Sequence, residues 1–339
     1  MMDSSSSSHT ISPHYCDAIM GHSKDVSSVA WNSSANQLAT GSDDRTARIY
    51  DVDDHGHAKQ VARLDTHFGA VVQLCWDPTS EVKLATLASG DRDKTVRIWD
   101  TRASHKPMKE IKNLHEYINI AWSADGNQIA VGSSVGSCGS SPKDDSAKDY
   151  VSVIDVRTHR VRKHKFPWEV NEFCFSPNSK FMLLTTENGT VEVYRLGDRD
   201  SVKVRSIQAH TDDCYCLAID PTNQYLAVGS KDSLVSLWEL DDMICLRALG
   251  EHNTPVRTLS FSPCGQYLAA ASYDHLMDIS SVETGARIHA IDTNCGINQV
   301  AWQPKADSCI VAVARDTKND RTAREDQSFV RLVQVPRPE

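Results

Sequence analysis

One pattern recurs along this chain at intervals of about 40–50 residues, and it constrains the fold more than any other feature. Each unit has a short strand that ends in a large apolar residue, then a turn and a second strand of small residues. The large residue, called the anchor here, occurs at seven positions separated by 45, 46, 53, 44, 42 and 41 residues: Trp31, Trp76, Trp122, Phe175, Ile219, Phe261 and Trp302. Such a period, with four strands per unit, is typical of a β-propeller.

The residues before each anchor alternate as in a strand that is packed on both faces. Two positions before the anchor, every residue is apolar: Val29, Leu74, Ile120, Phe173, Leu217, Leu259 and Val300. One position before it, every residue is small: Ala30, Cys75, Ala121, Cys174, Ala218, Ser260 and Ala301. Three positions before it, most residues are polar: Ser28, Gln73, Asn119, Glu172, Cys216, Thr258 and Gln299. The sequence therefore predicts an all-β, seven-bladed propeller that forms one domain over residues 10–339.

A strand is missing from the last unit if every blade has four. The third strand of the seventh unit is predicted at residues 329–333, and no outer strand follows it. Residues 14–19 precede the first unit and have no other assignment. Because an unpaired sheet edge is a liability, we expect residues 14–19 to pair in the last blade and close the ring.

Three segments depart from the repeat. Residues 1–9 contain a run of serines and are expected to form a disordered tail. Residues 133–149 are rich in Ser and Gly, and residues 315–327 are rich in charged side chains. Both lie between the second and third strands of a unit, so we expect flexible insertions in blades three and seven.

The composition excludes several function classes. The net charge is −9, which argues against autonomous binding to duplex nucleic acid. Phosphate-binding and nucleophile-elbow motifs are absent from the sequence, as is an apolar run long enough to span a membrane. Cys214 with Cys216, and His55 with His57, lack a second pair at metal-site spacing. We therefore expect no enzyme activity, cofactor, metal, small-molecule substrate or membrane contact.

The units resemble WD repeats. In that family a His before the first strand, a Ser or Thr in the second strand, an Asp in the tight turn and a Trp in the third strand form a hydrogen-bonded network. The second unit matches with His67, Ser89, Asp93 and Trp99; the fifth with His210, Asp232 and Trp238; and the first with His22, Thr40 and Asp44. In aligning the second strands, residues 87–90 of unit two (LASG) correspond to residues 38–41 of unit one (LATG).

More specific phrases resemble one family of WD-repeat proteins. Residues 73–78 (QLCWDP), 214–221 (CYCLAIDP) and 232–238 (DSLVSLW) are similar to the WD-repeat subunit of the THO complex, and closest to its plant-type members. The resemblance implies a nuclear, non-catalytic scaffold that docks on large helical subunits. That complex, within the TREX assembly, couples transcription to messenger-RNA packaging and export. Contact of this subunit with RNA is expected to be indirect or weak.

The polar residues that match the family's phrases fall at the start of the innermost strands, near the mouth of the central channel. Tyr and Arg commonly anchor protein interfaces, so Tyr215 and Arg257 are the first candidates for partner binding. Polarity at a channel mouth can also arise because water fills it. The remaining candidates are Asn119, Asn171, Glu172 and Asn298.

A basic run follows the third strand of blade three and permits two interpretations. Lys and Arg on an outer strand can simply guard a sheet edge against pairing, or they can contact RNA or an acidic partner. The run comprises Arg157, His159, Arg160, Arg162, Lys163, His164 and Lys165.

An alternative function belongs to another class. Trp99, Asp100, Thr101 and Arg102 match the W-D-x-R motif of WD-repeat substrate receptors of cullin-type ubiquitin ligases. The motif is short and arises easily in a regular WD repeat. A histone-binding propeller is a third possibility, which rests on the shared fold alone.

Overall fold

The computed structural model describes residues 13–88, 94–103, 106–112, 117–134, 149–197, 201–250, 252–316 and 329–336. These residues form seven four-stranded antiparallel sheets. The first strand of each sheet contacts the first strand of the next, and that of the seventh contacts that of the first. The chain is therefore a closed seven-bladed propeller, as the repeat predicted.

Each blade is a meander in which the strands follow one another outward from the central channel. Blade one comprises β2 (Val26–Trp31), β3 (Gln37–Ser42), β4 (Ala47–Val52) and β5 (Ala58–Leu64). Blade two comprises β6 (Val71–Trp76), β7 (Lys83–Ala88), β8 (Thr95–Asp100) and β9 (Lys109–Ile111), with a 3₁₀ turn at Thr101–Ala103. Blade three comprises β10 (Tyr117–Trp122), β11 (Gln128–Ser134), β12 (Asp149–Asp155) and β13 (Val161–Phe166).

The remaining blades repeat this order. Blade four comprises β14 (Val170–Phe175), β15 (Phe181–Thr186), β16 (Thr190–Leu196) and β17 (Ser201–Gln208). Blade five comprises β18 (Cys214–Ile219), β19 (Tyr225–Ser230), β20 (Val235–Glu239) and β21 (Ile244–Leu249). Blade six comprises β22 (Val256–Phe261), β23 (Tyr267–Ser272), β24 (Leu276–Ser281) and β25 (Arg287–Asp292). Blade seven comprises β26 (Gly296–Trp302), β27 (Ile310–Asp316), β28 (Val330–Gln334) and β1 (His14–Ile19).

The anchors end the first strand of every blade, as the sequence predicted. Two of them also connect neighbouring blades, because the Trp31 indole donates a hydrogen bond of 3.0 Å to the carbonyl of Ala301, and the Trp76 indole one of 2.9 Å to that of Ala30. Small residues on the second strands allow the blades to approach closely. A Cβ on Gly41 would lie 2.9 Å from Cγ1 of Val71 in the next blade, so a larger residue there would push the two blades apart.

The predicted closure is confirmed. Strand β1 pairs antiparallel with β28 and supplies the fourth strand of blade seven. Its last residue, Ile19, is buried beside Val330 and Leu332 in the apolar core that blades one and seven share. The ring is thus held together by a pairing between segments from opposite ends of the described chain.

One predicted strand was placed wrongly. The second strand of blade two is β7, in which Leu84 lies opposite Trp99 just as Leu38 lies opposite Tyr50 in blade one. Leu84, not Leu87, is therefore the counterpart of Leu38, and the sequence alignment was three residues late. Blade two is longer than blade one, and most of its additional residues lie between the second and third strands rather than before the second strand.

The predicted insertions begin or end inside regular strands. Strand β11 continues to Ser134 and β27 to Asp316, while β12 starts at Asp149. The rest of both insertions, residues 135–148 and 317–327, lies outside the described residues, as does the predicted tail of residues 1–9.

Candidate protein-docking face

The first strands of all blades begin on one face of the ring, called the entrance face here. Because successive strands are antiparallel, the turns between second and third strands lie on the same face. The sequence candidates Tyr215, Arg257, Asn171 and Asn298 sit at the second or third residue of their strands, so the fold brings them toward this face.

The network residues of blade one are buried beneath the entrance face. His22 Nδ1 lies 2.9 Å from Asp44 Oδ2, and His22 Nε2 lies 2.7 Å from Thr40 Oγ1. Burial lowers the pKa of His22, so the neutral ring donates to the carboxylate and accepts from the hydroxyl. Burial alone would raise the pKa of Asp44, but hydrogen bonds from His22 and Thr46 outweigh it and hold that pKa well below its ordinary range.

Blade two uses a different hydroxyl from the one that its sequence suggested. Thr86 Oγ1 lies 2.7 Å from His67 Nε2 and accepts a hydrogen bond of 2.9 Å from the Trp99 indole. Thr86 therefore occupies the position that the sequence alignment gave to Ser89. Both Ser89 and Asp93 lie outside the described residues.

Blade five takes its hydroxyl from the third strand. His210 Nδ1 lies 3.0 Å from Asp232, and the Trp238 indole donates to Ser236 Oγ at 2.7 Å. Ser236 also lies 2.8 Å from His210 Nε2. Its partner on the second strand is Val228, which has no hydroxyl. The sequence analysis missed Ser236, although a serine two residues before the Trp was a readable signal.

A second set of polar side chains connects neighbouring blades around the channel. In four of the seven blades, the described residue three positions before the anchor accepts a hydrogen bond from a backbone amide of the next blade. The acceptors and donors are Ser28 and Leu74, Glu172 and Leu217, Thr258 and Val300, and Gln299 and Val29. Burial raises the pKa of Glu172 to about 7, while the Leu217 amide lowers it.

The three asparagine candidates also connect neighbouring blades, but as donors to backbone carbonyls. The Asn171 amide donates to the carbonyl of Cys214 at 2.9 Å, and that of Asn298 to the carbonyl of Val26 at 2.9 Å. The Asn119 amide donates to the carbonyl of Asn171. These hydrogen bonds to adjacent blades account for the polarity of the three residues without a partner protein.

Tyr215 and Arg257 lie in a more exposed environment. The Arg257 guanidinium lies 5.0 Å from the ring centre of Tyr273 and 3.6 Å from Asp316. Burial raises the pKa of Tyr215, and Asp213 and Tyr273 raise it further. Tyr273 is 48% exposed. We refer to Tyr215, Arg257 and Tyr273 as the blade five–six patch.

The sequence analysis missed Tyr273 because it lies outside the first strands. It occupies the turn between the second and third strands of blade six, where blade five has Lys231. An exposed aromatic ring in a turn that is otherwise polar was the signal. Lys231 lies 3.2 Å from Asp212 and 3.6 Å from Asp213, so charged groups of both signs border the patch.

The basic run lies mainly on β13, the outer strand of blade three, away from the channel. Arg157, Arg160, Lys163 and Lys165 are exposed, whereas His164 is buried. The Arg162 guanidinium donates to the carbonyl of Gly197 in blade four. The run thus presents four exposed cations, whereas His164 and Arg162 face the interior or the next blade.

Among the residues that the structure describes, no group of three or more His, Cys, Asp or Glu side chains could hold a metal ion. None of the helices in the same part of the chain is long and apolar enough to cross a membrane.

Known proteins share the repeat and most of the chain. The sequence matches the family WD domain, G-beta repeat over residues 14–51, 58–100, 201–239 and 243–277. It is 43% identical to THO complex subunit 3 of Arabidopsis thaliana, over 91% of this chain and 92% of that protein. It is 29% identical to WD repeat-containing protein AAC3 of Dictyostelium discoideum, over 67% of this chain and 49% of that protein.

A solved structure shows the same fold. The β-propeller domain of Cps50 (Swd1) from Myceliophteria thermophila superposes with a TM-score of 0.76 at 15% identity. The alignment covers 96% of this chain and 100% of that domain.

Proposed function

Since the chain belongs to the THO complex subunit 3 family, we propose that it is a non-catalytic scaffold subunit of a nuclear THO complex. It docks there on large helical subunits and helps to couple transcription with messenger-RNA packaging and export. The observation that carries this proposal is the 43% identity to the Arabidopsis protein, which extends over 91% of this chain. An identity that extends over nine-tenths of the chain goes well beyond a few WD motifs.

The physical character of the propeller supports a scaffold. The network residues and the polar residues on the channel wall make hydrogen bonds within or between blades, so they stabilise the ring. A rigid ring can bind a partner without a large loss of conformational freedom.

The blade five–six patch is the docking site that we propose on the entrance face. Tyr and Arg are enriched among the residues that dominate interface energies. The Arg257 side chain is 33% exposed and stacks on Tyr273, so a partner could bury both with little side-chain ordering. Asn171 and Glu172 are positioning residues for the patch, because their polar atoms bond the strand that carries Tyr215. Asn119 and Asn298 make corresponding bonds between other pairs of blades on the same surface.

Co-purification tests the docking site. The double variant Tyr215→Ala/Arg257→Ala, expressed with an affinity tag, should recover at least about tenfold less of the helical THO subunits than the wild type. The thermal midpoint of the purified variant should stay close to that of the wild type, since neither side chain is fully buried. Undiminished recovery of THO subunits would exclude the patch as their docking site.

The double variant Arg102→Ala/Met108→Ala is a matched control on the opposite face. Met108 is 59% exposed, and the Arg102 side chain is 73% exposed. This variant should recover THO subunits normally.

The same variant also tests the ligase alternative, which depends on Arg102. In this structure the Arg102 guanidinium donates to Asp100 at 2.7 Å. Recovery of a ligase adaptor with the wild type, and its loss with this variant, would favour the ligase function.

A further inference from the structure

Blade six lacks the large aromatic residue of the WD network. Ser280 lies opposite Leu268 in this blade, at the position where Trp238 lies opposite Leu226 and Trp99 opposite Leu84. A serine thus replaces an indole ring at a site that is buried in blade two.

The replacement leaves a partly enclosed cavity of about 260 Å³ between blades five and six. Its walls include Val235, Ala248 and Leu249 of blade five. In blade two, Trp99 packs against Ala47 and Leu64 of the preceding blade. Ala47 pairs with Leu64 just as Val235 pairs with Leu249, so the cavity corresponds to the volume that Trp99 fills.

The floor of the cavity is polar. Asp278 occupies the position of Ser236, the hydroxyl that accepts the Trp238 N–H in blade five. Its side chain is 4% exposed and lies 3.8 Å from His252 Nε2 and 3.7 Å from Arg287 Nη1. In contrast to His22 and His210, His252 has a buried Nδ1 with no hydrogen-bond partner among the described residues. The network of blade six therefore retains its acceptor but has lost the aromatic donor.

We propose that this cavity is a binding pocket for an aromatic ring that carries an N–H donor, such as an indole. The apolar walls would cover the faces of the ring, and the Asp278 carboxylate would accept its N–H. A neutral donor suits the floor better than a cation does, because the Arg287 guanidinium already faces the same carboxylate. The proposal is independent of the docking site on the entrance face.

The pocket is tested by titrating the full chain with indole and measuring binding by calorimetry or by changes in NMR chemical shifts. Indole should bind at one site, and indene, which has the same shape without the N–H, should bind about tenfold more weakly because it lacks a hydrogen bond to a charged acceptor. Absence of indole binding, or equal affinity for the two compounds, would overturn the proposal. This comparison uses only the wild-type protein, so it does not depend on the folding of any variant.

Two variants locate the site. Ser280→Trp should abolish indole binding, because its own side chain fills the cavity, whereas Ser280→Ala should retain the affinity of the wild type. Unchanged binding to a folded Ser280→Trp variant would show that indole binds elsewhere and would refute the assignment.

A third titration distinguishes the source of the ring. N-acetyl-tryptophanamide carries the same indole with flanking peptide groups. If it binds about as well as indole, the pocket takes a tryptophan side chain of a partner protein. If only free indole binds, the pocket takes a small aromatic molecule. Both results support the chemistry of the pocket.

Discussion

The Glu172 carboxylate accepts a hydrogen bond of 2.9 Å from the backbone amide of Leu217, across the interface between blades four and five. Burial raises the pKa of Glu172 to about 7. At the equivalent position of blade seven, the neutral side chain of Gln299 accepts the amide of Val29 at 2.9 Å. The same connection is therefore made once by an ionisable group and once by a neutral group.

Replacement of Glu172 by Gln should remove a pH dependence of stability. A carboxyl whose pKa is raised on folding takes up a proton, so its contribution is fully present below the unfolded pKa and is lost as the pH rises toward about 7. The Glu172→Gln variant should therefore exceed the wild type in free energy of unfolding at pH 8, by about 1–2 kcal/mol. Urea unfolding at pH 5, 6, 7 and 8 measures the effect.

The converse variant, Gln299→Glu, is the control. It should introduce a loss of stability with rising pH that the wild-type position does not have. If the unfolding free energies of Glu172→Gln and the wild type run parallel across this pH range, the carboxyl does not titrate as we expect.

Deletion of residues 10–20 should open the ring. The deletion removes β1, exposes the edge of β28 and leaves the core around Ile19 without its cover. We expect the thermal midpoint to fall by about 10 °C or more. Deletion of residues 1–9 alone should leave the midpoint nearly unchanged, and a similar effect of both deletions would argue against closure by β1. Differential scanning calorimetry provides the measurement.

Thr86→Val should destabilise blade two more than Ser89→Ala does. The valine has no oxygen to accept from the Trp99 indole or to bond His67, and each buried polar group left without a partner costs about 1–3 kcal/mol. We expect a total loss of about 2–4 kcal/mol for Thr86→Val and less than about 0.5 kcal/mol for Ser89→Ala. Urea unfolding measures the loss of unfolding free energy in both variants. A larger loss for Ser89→Ala than for Thr86→Val would mean that Ser89, and not Thr86, belongs to the network.

Reversal of the exposed charges on the basic run should leave the fold intact. Arg160, Lys163 and Lys165 are exposed, so the triple variant with Glu at each position should keep the unfolding free energy within about 1 kcal/mol. Single-stranded RNA should bind the wild type weakly, in the micromolar range or above, and the variant more weakly still. Fluorescence anisotropy at two salt concentrations measures both. Equal RNA affinity of the two proteins would exclude RNA contact by the run and leave edge protection or an acidic protein partner as its function.

The sequence predicted the architecture well because every blade repeats the same packing problem. The anchors follow from the alternation of large apolar and small residues along the first strands. The closing strand at residues 14–19 follows from counting four strands in each blade. The sequence alignment points to Ser89 and not to Thr86, because extra residues in a turn shift an alignment without changing its residue types. Only the pairing of Leu84 with Trp76 fixes the register.

The candidate site was harder to predict for a different reason. Alternation shows that Asn171 and Glu172 are polar residues near the channel, but it does not show that both reach the next blade. Tyr273 approaches Arg257 from the turn after the second strand of the same blade, so their contact depends on the geometry of that turn and not on the period of a strand.

The pairing of β1 with β28 also has a consequence for biosynthesis. A ribosome delivers β1 before any complete blade, yet its hydrogen-bonding partner is the last strand of the described chain. Six blades can form in order as they emerge, whereas the seventh must wait until β28 has been synthesised. During that time β1 has an open edge, which is a liability for aggregation. A premature stop anywhere before β28 would release a polypeptide that cannot complete its ring, however many intact repeats it carried.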